Sequence, residues 1–342
     1  MLTAATFQTF HHAYGAVLRH VLNDRDYVTA GRGKDAWEST NISFRLTDPA
    51  DRVPYLAARR ANIVFNHAEA LWYLAGRDDL DMIAYYAPGL RKLSADGERL
   101  TGTAYGPRLF AASEAAGCSQ FDRVLDLLRA DPDSKRAALL IMQPDELLDP
   151  TNPDVACTLG LQLMLRNNRL HMSAYMRGND AVIGLLGDTF AFTFIQEFAA
   201  RLLGVEVGTY THHVGSMHIN VLDLPQVAAM IAEYDQAADR PAFPVEVMPP
   251  ATSWADLHTV FAYEEALRTD MTALSPAALA RVPLHPYWRR VLRLFEVYRQ
   301  IVHEPDHPVD ADTLASPHPG HRWLIEHRWP DRMPAAATAV RA

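Results

Sequence analysis

Met176-Arg177-Gly178-Asn179-Asp180 ends an alternating stretch and leads into Gly184-Leu185-Leu186-Gly187-Asp188 and a long apolar run. With Cys157 a short way upstream, it assembles a thiol, a guanidinium suited to an anion and spare carboxylates, the groups that covalent chemistry on a small anionic molecule requires. Working outward, Leu161 to Arg166 and Arg169 to Met176 alternate as strands and are joined by Asn167-Asn168, a hairpin signal. Leu170, Met172, Ala174 and Met176 share one face, and Arg177 emerges on the other. On the far side, Thr189 to Leu203 is apolar nearly all round and stops at Gly204, which predicts a central buried helix opened by Asp188.

Residues 4 to 22 carry Phe7, Phe10, Tyr14, Val17, Leu18 and Val21 at helical spacing. The basic turn Gly31-Arg32-Gly33-Lys34 precedes a strand over Asn41 to Leu46. Ala61 to Ala75 reads as a helix ending at Gly76, with Glu69 on its flank between Phe65 and Trp72. Residues 121 to 130 form another helix, and Arg136 to Met142 a strand with Lys135 and Arg136 at its entrance. Beyond Asn220 the pattern gives helices over Pro225 to Glu233, Ala255 to Arg268 and Pro286 to His303, a strand over Pro244 to Met248, and a Pro- and His-rich tail with little signal from Glu304. Strands and helices interleave irregularly, without βαβ rhythm or repeat. The expectation is an α+β fold, a mixed β-sheet around a central buried helix with flanking helices, in one domain over 1–342 with an extended helical C-terminal region from about 225.

A chain of 342 residues, 49% hydrophobic and 21% charged, can bury a large core. Its net charge of −9 disfavours general nucleic-acid binding, while a small anionic substrate needs only a local cation cluster. Cys118 and Cys157 lack the spacing of a disulfide framework or zinc site, which suits a reduced cytoplasm. No apolar run approaches membrane-spanning length. Among 15 histidines only His303 and His307 show the i, i+4 spacing of a helical metal pair, and Pro305 between them argues against a helix there, so no metal is expected.

Taken alone, Cys157 reads as a core thiol, Asp188 as a helix N-cap and Glu69 as an ordinary helix carboxylate. Together with Met176-Arg177-Gly178-Asn179-Asp180 and the acidic Asp188, however, the chain resembles the thymidylate synthase superfamily, and within it the pyrimidine nucleotide hydroxymethylases. That resemblance implies a homodimer packed through one sheet face, with Cys157 as nucleophile and 5,10-methylenetetrahydrofolate as co-substrate. It implies phosphate binding by Arg177 and by Arg32 or Lys34 of the N-terminal turn, with Lys135 and Arg136 reaching the partner's site. Glu69, in Glu69-Ala70-Leu71-Trp72-Tyr73, would relay protons through water, and Tyr105, in Tyr105-Gly106, would assist removal of the C5 proton. Asp180 would anchor the folate pterin. His218, in Gly215-Ser216-Met217-His218, would contact the sugar. Asp188 stands where thymidylate synthases have the asparagine that pairs with uracil, and a carboxylate there fits cytosine's N4 donor.

Three departures cluster near phosphate and sugar: Gly178 replaces serine, Lys135 the first of two arginines, and Asn220 a tyrosine. Each shortens a side chain, which implies room for a 2′-hydroxyl and hence CMP, as in the cytidylate hydroxymethylases of nucleoside-antibiotic pathways. Gly89 to Gly102 lacks the family's shielding tryptophan, which implies that water captures the methylene and yields 5-hydroxymethyl-CMP. The alternatives are dCMP hydroxymethylation, methylation of dUMP, and a non-enzymatic nucleotide-binding protein.

Overall fold

The computed structural model describes residues 3–31, 33–112, 117–236, 243–315 and 317–335. They form strands β1 (Ala5–Phe7), β2 (Tyr27–Gly31), β3 (Lys34–Leu46), β4 (Ala138–Leu140), β5 (Thr158–Arg166), β6 (Arg169–Asp180) and β7 (Glu206–Asn220). Helices α1 (Phe10–Asn23), α2 (Ile63–Leu74), α3 (Leu80–Tyr86), α4 (Gly106–Phe110), α5 (Gln120–Ala130), α6 (Gly184–Leu203) and α7 (Leu224–Gln236) accompany them. The C-terminal third adds α8 (Trp254–Arg268), α9 (Pro276–Ala280), α10 (Pro286–His303), α11 (Ala311–Ala315) and α12 (Pro319–Arg328). The chain divides into two compact units, residues 1–59 with 65–253, and residues 60–64 with 254–342.

In the first unit the strands form one mixed sheet, ordered β1-β3-β7-β6-β5-β4, with β2 pairing on β3. The β5–β6 hairpin turns on Asn167 and Asn168, both at positive φ (50° and 57°), the left-handed pair that a two-residue hairpin demands. β6 and β7 run parallel, so their connection needs a crossover, and α6 supplies it. α6 is the central helix: from Leu185 to Ala200 almost every residue is buried, and Gly204 at φ 68° closes it. α1 packs against β3 and α7.

Several boundaries differ from the sequence expectations. The first helix begins at Phe10, because Ala5–Phe7 pairs in parallel with β3. Asp188 does not open α6; the helix starts at Gly184, one turn earlier, and the chain is turned into it by Asp180, whose Oδ1 accepts from the Val182 and Ile183 amides at 2.7 and 2.8 Å. Pro244 to Met248 is no strand. Its end is held by a side chain instead, the buried Glu197, which accepts from the Met248 amide at 2.6 Å and pairs with Arg52 and Arg201. Helices follow one another from α7 onward; α7 packs within the first unit, and residues 254–342 gather with 60–64 in the second.

In the second unit α10 packs on α8, and Arg299 joins Asp270, Glu296 and Glu304 within it. The tail beyond Glu304 contains α11 and α12, whose short lengths and flanking prolines hide any periodicity. Among the described residues no helix is long and apolar enough to cross a membrane.

Candidate active site

Cys157 immediately precedes β5, and the Arg177 amide donates to its carbonyl at 2.9 Å, which fixes the thiol beside the end of β6. Arg177 then curls back over the same segment. Its Nε donates to the Ala156 carbonyl at 2.8 Å and Nη2 to the Val155 carbonyl at 2.9 Å, and Nη2 stands 3.7 Å from Cys157 Sγ. The form of a cysteine that attacks carbon is the thiolate, and Arg177 places a fixed cation beside this sulfur. Neither Cys157 nor Cys118 is in a disulfide, and both are part-exposed.

Two carboxylates that the sequence analysis did not single out hold this nucleophile segment. Glu146 Oε2 accepts from the Ala156 amide at 2.7 Å, while Oε1 accepts from the Gln143 amide and from Arg108 Nη1. Asp154 accepts from the amides of Gly102 and Thr103 at 2.8 and 2.9 Å, tying the segment to the loop that leads to Tyr105. Gly102 is required there, since a Cβ would fall 2.1 Å from the Asp154 carbonyl oxygen.

Behind the thiol lies a buried acidic and aromatic cluster. Glu69, on α2, is 8% exposed, and Tyr73 Oη donates to its Oε1 at 3.5 Å. Burial, reinforced by the charge of Asp188, pushes the Glu69 carboxyl up to about 8. Burial likewise raises Asp188 to about 7, against a hydrogen bond from Asn179 that favours its charged form. Tyr105 is 4% exposed and stacks between Tyr73 and Phe192, with ring centroids at 5.1 and 6.0 Å. Burial first, then the charges of Asp188 and Cys157, keep its phenol well above the usual range. The glycines of Gly184-Leu185-Leu186-Gly187 serve close approach within a helix: a Cβ on Gly187 would stand 3.0 Å from Glu69 Oε2, and one on Gly184 2.5 Å from Asn179 Oδ1.

The remaining expected residues spread along the sheet. Parallel pairing sets Gly178 beside Ser216 and Asp180 beside His218, and β3 places Glu38 across from His218 and Ala36 across from Asn220. Asn220 Nδ2 donates to Asp180 Oδ2 at 2.7 Å. Lys34 is exposed at the start of β3, two residues beyond the Asn220 row, so about seven residues of strand, roughly 23 Å, separate it from the Arg177 row. Arg32 lies outside the described residues. Lys135 and Arg136 are exposed ahead of β4, whose Ala138 faces Gln162. Seven or eight residues of strand, about 25 Å, therefore lie between them and Cys157 of the same chain.

The sequence pattern described as thymidylate synthase matches residues 12–259. The chain belongs to the thymidylate synthase family. The family's one-carbon donor is 5,10-methylenetetrahydrofolate. Thymidylate synthase A of Bacillus subtilis has a similar fold, with a TM-score of 0.56 at 20% identity over 71% of this chain and 91% of its own. The deoxyuridylate hydroxymethyltransferase of Bacillus phage SP01 is 34% identical over 221 residues, which is 61% of this chain and 57% of that protein. Its counterpart in Pseudomonas phage M6 is 31% identical over 184 residues, 53% of this chain and 51% of that protein. The chain spans about half the length of these curated relatives.

Proposed function

We propose that this thymidylate synthase family member is a folate-dependent hydroxymethylase acting at C5 of CMP. The observation that carries the reading is Arg177 Nη2 at 3.7 Å from Cys157 Sγ, with the buried Glu69 and Tyr105 and the part-buried Asp188 close by. Cys157 adds to C6 of the base, which makes C5 nucleophilic toward the methylene of 5,10-methylenetetrahydrofolate. Loss of the C5 proton, with Tyr105 placed to assist, releases tetrahydrofolate and leaves an exocyclic methylene. Glu69 directs water to that carbon. Addition of hydroxide and elimination of the Cys157 sulfur then give the 5-hydroxymethyl nucleotide.

Recognition falls to the residues around this centre. Asp188 meets the base, His218 the sugar, and Asp180 the pterin with the lone pairs left by its three donors. Gly178 supports a ribose substrate by carrying no side chain where the family has serine; a Cβ there would make an ordinary contact, 3.7 Å from the Ser216 carbonyl oxygen. Arg177 takes the phosphate on its exposed side; Lys34 of the N-terminal turn, separated from it by about seven residues of strand, does not share that phosphate in this arrangement. Lys135 and Arg136 complete the phosphate site of a second copy in a homodimer, a reading supported by their exposure and by their distance from their own Cys157. The enzyme works in the cytoplasm, consistent with two cysteines that form no disulfide.

One observation favours dUMP as a second reading. A carboxyl near neutrality offers one donor and one acceptor when protonated, so Asp188 can pair with O4 and N3–H of uracil as well as with N4–H and N3 of cytosine. The phage relatives are named for deoxyuridylate. Tritium release from C5-labelled CMP, dCMP and dUMP decides between them. CMP is expected to lead by about tenfold or more in kcat/KM, a preference of one good contact. Faster release from dUMP would install the second reading, and release from none would remove C5 transfer altogether.

A further inference from the structure

Glu38, on β3, stands beside the sugar-facing residues and takes no part in the chemistry at C5. Asn41, at φ 55°, interrupts the strand, and on its N-terminal side Ser39 is fully buried while Glu38 is half-buried and Thr40 exposed. On β7 Met217 and Ile219 are buried, and Ser216, His218 and Asn220 are part-exposed. Glu38 pairs with His218 and Thr40 with Ser216, so Glu38 shares a face with both, because side chains two apart on a strand, and those paired across strands, point the same way. Glu38 Oε1 accepts from Ser216 Oγ. Ser216 in turn stands between β3 and Gly178, its parallel partner on β6.

The backbone around Glu38 is fixed from its other edge. The Asp26 amide donates to the Glu38 carbonyl at 2.9 Å, and Asp26 Oδ2 accepts from the Thr40 amide and hydroxyl at 2.8 and 3.0 Å. Among the described residues Ser216 is the one hydrogen-bond donor to the Glu38 side chain, and no cation pairs with it. A carboxylate oxygen accepts, so Oε2 is left to water or to a hydroxyl on a ligand. About three residues of strand, roughly 10 Å, lie between the Arg177 row and Glu38, which keeps the phosphate and this carboxylate apart. We propose that Glu38 selects ribose over deoxyribose: Oε2 accepts from the 2′-hydroxyl of the nucleotide, Ser216 holds the other oxygen, and Gly178 carries no side chain beside them. The proposal rests on the reading of His218 as the sugar contact. A site that directs an acceptor at a substrate hydroxyl rejects the analogue lacking it, because the acceptor then loses its partner. Glu38 is half-buried, so water replaces that partner in part and the discrimination is moderate.

The test measures kcat/KM for CMP against dCMP, and for UMP against dUMP, in the wild type, Glu38→Ala, Glu38→Gln and Ser216→Ala. Two bases keep the reading of the sugar separate from that of the pyrimidine. Glu38→Ala is expected to lower the ribose preference by about tenfold, with the loss falling on the ribonucleotides, the effect of one hydrogen bond to a charged group. Glu38→Gln keeps an acceptor oxygen without the charge and should lose less. Ser216→Ala leaves the carboxylate free to turn; it should lose part of the preference, and it decides the matter if Glu38→Ala does not fold. A purely structural Glu38 would instead lower ribonucleotide and deoxyribonucleotide turnover together. That result, or the wild-type preference retained in both Glu38→Ala and Ser216→Ala, would overturn the proposal alone. A wild type with no ribose preference for either base would overturn the reading of a ribose substrate and the proposal with it.

Discussion

Replacing Cys157 by alanine is expected to lower turnover by at least about a thousandfold, the scale seen when a catalytic nucleophile is removed. Nucleotide affinity should change little, because the cations and the base-reading carboxylate remain. The size of the effect follows from the chemistry: an aromatic pyrimidine offers no carbanion at C5 until a nucleophile has added at C6. The geometry holds the segment that carries the thiol. The Ala156 amide is held by Glu146, the Cys157 carbonyl by the Arg177 amide, and the sulfur faces the Arg177 guanidinium. Single-turnover assays with equilibrium nucleotide binding check the prediction. Turnover retained in Cys157→Ala would contradict covalent catalysis, whereas loss of binding along with activity would show a structural thiol.

Glu69→Gln should separate activity from stability. Removing a positioned acid–base group costs about a hundredfold to ten-thousandfold in kcat, and the variant should lose the part of the pH profile that titrates near 8. Stability should move the other way. The folded-state value of about 8 lies above the ordinary value of 4.5, so between those limits the folded state binds more protons than the unfolded one. The wild-type protein then loses stability as pH rises from about 4.5 through about 8, and the buried charge is most costly above that window. Glutamine carries no such charge, and its melting temperature at alkaline pH should exceed the wild type's by about 2–5 °C, a gap that closes toward pH 5. Thermal unfolding of both proteins across this range checks the sign. A wild type that gains stability with rising pH relative to Glu69→Gln would show that Glu69 is ionised and stabilising in the fold.

Much of the first unit was legible because it obeys local rules. The alternating strands on either side of Asn167-Asn168, the apolar run ending at Gly204 and the helix around Glu69 each carry their own periodicity and stop signals, and the structure places them within a few residues of the expected bounds. The start of α6 was misread for a physical reason: Gly184 and Gly187 look like loop residues, but they are glycine because Asn179 and Glu69 press against the helix there. The site divides in the same way. Cys157, Arg177, Glu69, Tyr105 and Asp188 belong to quotable motifs, and the structure gathers them. Glu146 and Asp154 do not; they act through side-chain bonds to distant backbone amides, and such contacts leave no spacing in the sequence. Pro244 to Met248 failed for a related reason, since a buried carboxylate holds its end where a neighbouring strand was expected.

Mass spectrometry of the nucleotide product after incubation with 5,10-methylenetetrahydrofolate and a mixture of CMP, dCMP and dUMP, with dihydrofolate followed by absorbance, tests the central claim most directly. A gain of CH₂O on CMP without dihydrofolate is the predicted result: water has captured the methylene, and the folate leaves unoxidised. A gain of CH₂ with stoichiometric dihydrofolate would contradict it, because the folate would then have delivered hydride and the chain would be a methylase.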